Sequence, residues 1–441
     1  EWAYADFGQP GSIDKSRTIE DLGIDQYVLS NRVRVNLKKT DYEANKVYIK
    51  ASFGSGKLEA PADKPGLSLM ANAIFVPGGL GQHSADDIQK LTAGRTVGVD
   101  FSVQDNEFTL GGITNPEDLP LQLQLMTAYL TDPGYRPEAR RLLMRQLDGL
   151  YSQLAHNPSA VLQNEVSRFL AGGDFRFGYP AREDLEARTT DEVREWLDQV
   201  LESGYLELSI VGDLKDESRE AVMQAVLATF GTMPGRDDER PQHAEARKVE
   251  FPREAGAQVF DYESDIPRAM ATVAWPTADQ SDIFRTRRLS VLGSVFSDRM
   301  RVRIREEIGE AYSPYAYNSS SDTYKDYGVF MALVGVEPDK ADLIQEKLIE
   351  IGRNLALEGI DEDELVRAIE PIKSEIEEYR RTNGYWLNSV LLRCQTDPER
   401  LEWARSFEGF WESITVNQIN ELAARYLQPE EAVPIQVQPG S

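Results

Sequence analysis

The chain has 441 residues, of which 41% are hydrophobic and 28% are charged. This composition is typical of a folded protein with more than one domain and excludes an intrinsically disordered chain. Its 48 Lys and Arg against 74 Asp and Glu give a formal charge of −26, which disfavours nucleic acid and anionic membranes as partners and favours basic peptides. A second interpretation, in which the charge serves only solubility, stays open.

The single cysteine, Cys394, excludes an intrachain disulfide and a cysteine metal cluster. No apolar run approaches the ~20 residues of a membrane-spanning helix, so no membrane insertion is expected. The first residue is Glu1 and not Met, which predicts a processed chain or an excised piece of a longer one.

The first half of the sequence predicts one α+β domain over residues 27–232. Residues 1–26 are polar and predict an extended lead-in or linker. Ser84 and Thr190 are predicted helix N-caps. Hydrophobic periodicity and turn residues predict strands at 27–37 (a hairpin), 46–53, 96–103, 107–112 and 206–213, and helices at 67–76, 85–93, 116–131, 137–155, 158–170, 191–202 and 217–230.

The second half predicts another domain over residues 254–441, after a linker at 233–253 that is poor in apolar residues. The predicted strands are 257–262, 269–275, 312–318, 327–336 and 432–438, and the predicted helices are 282–308, 338–357, 361–381, 385–394, 398–411 and 416–426. Both halves run strands, long helix, hairpin, several helices, strand. The fold class is therefore α+β, with two homologous domains, each a mostly antiparallel sheet covered on one face by helices.

The junction after the longest predicted helix carries the candidate site. Gly309 suits a helix stop, Arg305 closes the helix, and Tyr312 opens the next strand. A guanidinium and a phenol near one junction suit a peptide carbonyl or an oxyanion. The alternative is that Arg305 pairs with a neighbouring glutamate and that Tyr312 packs in a core.

Other catalytic constellations are missing from the sequence. His83, His156 and His243 are far apart and have no metal-ligand spacing, which argues against a zinc site with several histidines. There is no Gly-x-Ser-x-Gly, and the glycine-rich residues 53–57 lack the Walker spacing. The residues alone predict no self-contained metal or nucleophile site.

Residues 291–317 resemble the second-half signature of the pitrilysin/insulysin family of inverted-zincin metallopeptidases. Residues 31–35, 210–213 with Phe230-Gly231, and 358–365 agree with that resemblance, which covers nearly the whole chain and is best for the bacterial pqq-associated subgroup. Such enzymes have four related α+β domains, two per half, that close around an unfolded peptide. Their first half binds zinc through His-x-x-Glu-His and a downstream glutamate. Their second half lacks zinc and contributes an arginine and a tyrosine seven residues apart.

The resemblance implies roles for particular residues. Residues 27–232 and 254–441 are expected to be family domains 3 and 4, and Arg305 and Tyr312 to contact the substrate in the assembled enzyme. Leu69, Asn72 and Ala73 stand where the zinc motif has His, Glu and His, and none can do that work. We therefore expect no cofactor in this chain, with zinc in the absent N-terminal half.

The expected function is the inactive C-terminal half of a zinc metalloendopeptidase. Its expected partners are the zinc-bearing half or subunit and an unfolded peptide, without nucleic acid, in a bacterial periplasm, although the cytoplasm also fits. Two alternatives stay open: a separate non-catalytic subunit of a two-chain peptidase, and a peptide-binding or scaffold protein with no peptidase role.

Overall fold

The computed structural model describes residues 1–215, 219–308 and 312–440, except the side chains of residues 305–308, 312 and 313. The chain forms two compact units, each built from separate stretches of sequence. Unit 1 contains residues 1–147, 180–243 and 377–406, and unit 2 contains residues 148–179, 244–376 and 407–441.

Unit 1 is built on a seven-stranded sheet in the order β1-β2-β3-β7-β4-β6-β5. Strands β3 and β7 pair in parallel, and the other neighbours pair antiparallel. The strands are β1 (Ile13–Ile19), β2 (Ile24–Leu29), β3 (Arg34–Lys39), β4 (Val47–Phe53), β5 (Asp100–Val103), β6 (Phe108–Thr114) and β7 (Leu206–Gly212).

The helices up to the middle of the chain are α1 (Leu67–Ile74), α2 (Ala85–Leu91), α3 (Leu119–Thr131), α4 (Pro137–His156), α5 (Pro158–Val161), α6 (Ser167–Leu170), α7 (Arg182–Ala187), α8 (Thr190–Ser203) and α9 (Arg219–Leu227). The seven helices predicted up to this point are present, but the one at 158–170 is divided into α5 and α6, and α7 was not predicted. A π-helical turn at Leu162–Val166 joins α5 to α6.

The two faces of the first sheet differ in polarity because side chains alternate along each strand. One face carries fully buried aliphatic side chains, such as Val35, Ile49 and Ile210. The opposite face carries buried polar groups, including Asn36, Ser209 and Glu207. Residues 383–406, which we call the strap, cover this polar face and hydrogen-bond to it.

Unit 2 is built on a five-stranded sheet in the order β10-β11-β9-β12-β8. Strands β12 and β8 pair in parallel, and the others pair antiparallel. The strands are β8 (Gln258–Tyr262), β9 (Ala269–Thr277), β10 (Tyr312–Ser320), β11 (Gly328–Val336) and β12 (Val433–Pro439).

Helices of the second half pack their apolar faces on this sheet around one core that includes Trp275, Phe296 and Phe330. They are α10 (Ile283–Ile308), α11 (Ala341–Glu358), α12 (Glu362–Tyr379), α14 (Glu399–Phe410) and α15 (Val416–Tyr426), whereas α13 (Asn383–Tyr385) belongs to unit 1. Helix α13 and a π-helical turn at Trp386–Leu391 belong to the strap.

The predicted α+β fold class is confirmed, because each of the two units holds a mostly antiparallel sheet together with helices. Some other local predictions differ from the structure. The polar lead-in contributes edge strand β1 and the start of β2 to the first sheet. The cap of α8 is Thr189, one residue before the predicted one, in a reciprocal capping box with Glu192.

Candidate functional site

The predicted site residues lie on two consecutive elements of unit 2. Arg305 is in the last turn of α10, and Tyr312 is the first residue of β10, where it pairs with Gly335 of β11. Their side chains and residues 309–311, including the predicted stop at Gly309, lie outside the described residues. The backbone therefore has the predicted arrangement of long helix followed by strand.

Helix α10 packs closely on β10 at Ala316, a contact that we call the seat at Ala316. The Ala316 N–H donates to the Ser297 hydroxyl over 2.8 Å, and that hydroxyl lies 3.2 Å from the Ala316 carbonyl oxygen. One turn earlier, a methyl group on Gly293 would lie 3.2 Å from the same carbonyl oxygen. Small residues at both positions thus allow the helix to approach the strand closely.

The first residues of β10 are irregular. The register shifts between Tyr312 and Tyr315, with one extra residue opposite β11, as in a β-bulge that redirects the local chain. Beyond it, Tyr315 and Tyr317 stack with ring centroids 5.9 Å apart and remain 47% and 39% exposed. Burial, and then the neighbouring Tyr315, raise the pKa of Tyr317, so the Tyr317 phenol stays neutral at physiological pH.

A cleft of about 830 Å³ runs beside the carboxyl-terminal turns of α10. We call it the α10 cleft. It is lined by Asp298, Arg299, Arg301, Val302 and Arg303 of α10, Ile351, Asn354 and Glu358 of α11, and Glu364 and Arg367 of α12. The seven residues from Asp298 to Arg305 make nearly two helical turns, so the cleft adjoins the backbone position of Arg305.

The positions that match the zinc motif lie on α1 in unit 1. Leu69 and Ala73 are half-buried, and Asn72 is exposed. The Asn72 side-chain oxygen accepts a hydrogen bond from the Val103 N–H over 2.7 Å and so ties α1 to β5. Within the described part of the chain, no group of three or more His, Cys, Asp or Glu is arranged to hold a metal ion.

Each histidine with described contacts has a local structural role. His83 Nε2 accepts from the Ala3 N–H over 3.0 Å, and its ring stacks on Trp2 with centroids 5.4 Å apart. His156 Nδ1 lies 2.7 Å from the Ser152 carbonyl oxygen. Neither contact is a nucleophile–base arrangement of the kind that serine hydrolases use.

Comparison with known protein families identifies what residues 188–372 resemble. Residues 188–372, which include α10 and both predicted contact residues, match the family model described as the peptidase M16 inactive domain. Residues 188–372 are thus similar to M16 inactive domains. The resemblance to the zinc peptidases, which was inferred from residues 291–317, is therefore confirmed.

Individual relatives of the M16 domain agree with this result. The chain is 22% identical to the chloroplastic stromal processing peptidase of Arabidopsis thaliana over an alignment of 482 residues. That alignment covers 96% of this chain and 37% of the stromal peptidase. Its fold matches the periplasmic protease PqqL of Escherichia coli with a TM-score of 0.81 and 18% identity, over 98% of this chain and 47% of that one. It also matches a peptidase M16 inactive domain of Pseudomonas fluorescens, with a TM-score of 0.75 and 16% identity, over 95% and 99% of the two chains.

The stromal peptidase and PqqL are longer than this chain, which spans less than half of each. Among the described helices, none is both long and apolar enough to cross a bilayer. Sequence reasoning identified the helix and strand of the candidate site but missed the α10 cleft and the seat at Ala316. The small residues Gly293 and Ser297, one turn apart, were the available signal for the seat.

Proposed function

We propose that this chain is the zinc-free C-terminal half of a zinc metalloendopeptidase and helps to enclose an unfolded peptide. The observation that carries the proposal is the placement of Arg305 and Tyr312, seven residues apart, across the α10–β10 junction of a matched M16 inactive domain. On this view residues 27–232 and 254–441 act as the third and fourth domains of the enzyme.

Arg305 and Tyr312 would act on the peptide and not on the metal. A guanidinium and a phenolic hydroxyl donate hydrogen bonds, so together they would orient the scissile carbonyl and stabilise the oxyanion that forms on it. Zinc, held by the other half, would supply Lewis acidity and an activated water. Leu69 and Ala73 have no side-chain atoms that could bind a metal, and the Asn72 side-chain oxygen accepts a hydrogen bond from the Val103 N–H. This chain would therefore contribute none of that metal chemistry.

The partner that completes the enzyme is a zinc-bearing half in the same polypeptide or in a separate subunit. The fold likeness over 47% of the longer PqqL chain favours the first arrangement. The mass of the intact precursor distinguishes the two, because a single polypeptide would have about twice the mass of this chain. PqqL is described as periplasmic, and we propose the same compartment for this protein.

Reconstitution tests the proposed function. The isolated chain should hold no stoichiometric zinc by elemental mass spectrometry and should not cleave a quenched fluorescent peptide. Adding the zinc-bearing half should produce cleavage that a chelator abolishes. Stoichiometric zinc in the isolated chain, or a zinc-bearing half that is equally active without it, would contradict the proposal.

A further inference from the structure

We propose that the α10 cleft holds an extended stretch of the peptide substrate, in which Arg303 selects an acidic side chain about five residues from the bond that is cut. This inference rests on the proposed function and adds a specificity-determining residue to it. It concerns a peptide class and a side chain of this unit, so it can be measured without the zinc-bearing half.

Three of the four arginines that line the α10 cleft are paired with described carboxylates. Arg299 donates to both carboxylate oxygens of Glu364 over 2.7 and 2.9 Å and also to the Gly359 carbonyl. Arg301 and Arg367 pair with Asp298 and Asp363 respectively.

Arg303 also lines the cleft and is exposed, yet it makes no hydrogen bond or ion pair with any residue that the structure describes. In a chain with a formal charge of −26, a cation that no described carboxylate pairs with is available for a ligand. An acidic side chain or a terminal carboxylate matches a guanidinium, because the two can form paired hydrogen bonds.

Other lining residues suit a peptide backbone and its side chains. Asn354 is half-buried and has no hydrogen-bond partner among the described residues. Its amide offers a donor and an acceptor, which match the carbonyl and N–H of a peptide unit. Val302 is 59% exposed at the cleft and offers apolar contact.

Glu358 makes the recognition depend on position. It lines the cleft two turns after Ile351 on α11 and has no ion-pair partner among the described residues. Arg303 and Glu358 are not in salt-bridge contact, so the cleft presents a separate cation and anion. An acidic side chain is favoured at Arg303 and repelled at Glu358.

The helical repeat relates Arg303 to the proposed carbonyl contact at Arg305. Arg303 and Arg305 are two residues apart in sequence, which corresponds to a rotation of about 200° around the helix axis. The two positions therefore lie on nearly opposite sides of α10. A helix with its side chains is about 10–12 Å across, and an extended chain advances about 3.3 Å per residue. A peptide that spans the two positions has to pass around the helix, over about 16–19 Å, and therefore needs about five residues.

Peptide binding to the isolated 441-residue chain tests this inference. The probes are two fluorescein-labelled unstructured 12-residue peptides, identical except for one Asp or Asn, and the readout is fluorescence anisotropy. We expect the Asp peptide to bind about 10-fold more tightly, in line with one charge-assisted hydrogen-bonded pair. Arg303→Gln should remove that preference, whereas Arg353→Gln, an exposed arginine of α11 that does not line the cleft, should preserve it.

The possible failures can be told apart. Equal binding of both peptides to the native chain, or a preference that survives Arg303→Gln, would overturn the inference. The same holds if Arg303→Gln weakens association with the zinc-bearing half and leaves peptide binding unchanged, because the cleft would then be an interface between halves. None of these outcomes touches the proposed function, which depends on the effect of Arg305 and Tyr312 on turnover.

Discussion

The main-chain N–H of Ala316 donates to the hydroxyl of Ser297 over 2.8 Å, and both residues are buried. Ala316 belongs to β10, the outermost strand of its sheet, so this N–H would otherwise have no partner in a ladder. Ser297 therefore joins the helix that bears Arg305 to the strand that begins with Tyr312. It also occupies a backbone group that an added peptide strand would need.

Removing this hydroxyl should loosen the candidate site. Ser297→Ala leaves a buried N–H without its acceptor, and we expect the free energy of unfolding to fall by about 1–3 kcal/mol. Urea denaturation measures the loss. Ser294→Ala is the matched control, because Ser294 lies on the same helix and, among the described residues, its hydroxyl hydrogen-bonds only to the Ser290 carbonyl, over 3.4 Å. Equal stability of the two variants would show that the seat at Ala316 contributes nothing.

A buried carboxylate should hold the strap on the first sheet. Glu207 accepts hydrogen bonds from the Asn36 amide (2.7 Å), the Gln395 N–H (2.9 Å), the Tyr205 hydroxyl (3.0 Å) and the Thr396 hydroxyl (3.2 Å). Glu207→Gln places an amide donor against these donors, and we expect a cost of about 2 kcal/mol or more.

Hydrogen exchange measures the consequence of that change. Amides of residues 383–406 should exchange faster in Glu207→Gln than in the native chain, because the strap then opens more often. The exposed Glu202→Gln is the control and should leave their exchange unchanged. Unaltered protection of the strap in Glu207→Gln would contradict this role for the carboxylate.

Stability should depend on pH through Lys38. Burial lowers the pKa of this lysine from 10.5 to about 8; its amine lies 3.9 Å from the centroid of the Trp386 ring. Between pH 8 and 10.5 the unfolded chain binds this proton and the folded chain does not, so the Lys38 contribution to stability rises with pH.

The Lys38→Met variant removes that dependence. From pH 7.5 to pH 9.5, the native chain should gain about 2 kcal/mol of unfolding free energy relative to the variant, as measured by urea denaturation. The exposed Lys15→Met serves as the control and should follow the native chain. A native-minus-variant difference that stays constant across this range would contradict the proposed effect of burial.

Local patterns in the sequence predicted most elements of the fold. The apolar repeat from Leu289 to Ile304 gave α10, and residues 416–426 form the predicted last helix. The lead-in was harder, because β1 is almost wholly exposed and its polar residues carry no core pattern. Strand β1 forms through backbone pairing with β2, which composition does not reveal.

Tertiary contacts account for the features that the sequence did not predict. The strap groups with unit 1, although it follows the helices of unit 2 in the chain, and no local pattern records that choice. The domain boundaries drawn from composition therefore remain a prediction. The α10 cleft joins residues from three helices that are up to 69 positions apart, so periodicity could not reveal it. The roles of Arg305 and Tyr312 also remain predictions.

Turnover of the reconstituted enzyme tests the central claim most directly. Arg305→Ala and Tyr312→Phe should each lower kcat on an unfolded peptide about 10²–10³-fold, the usual cost of losing one oxyanion donor, while Arg353→Ala and the melting temperatures of all variants stay near native values. Native kcat in both site variants would contradict the claim that this junction completes the active site.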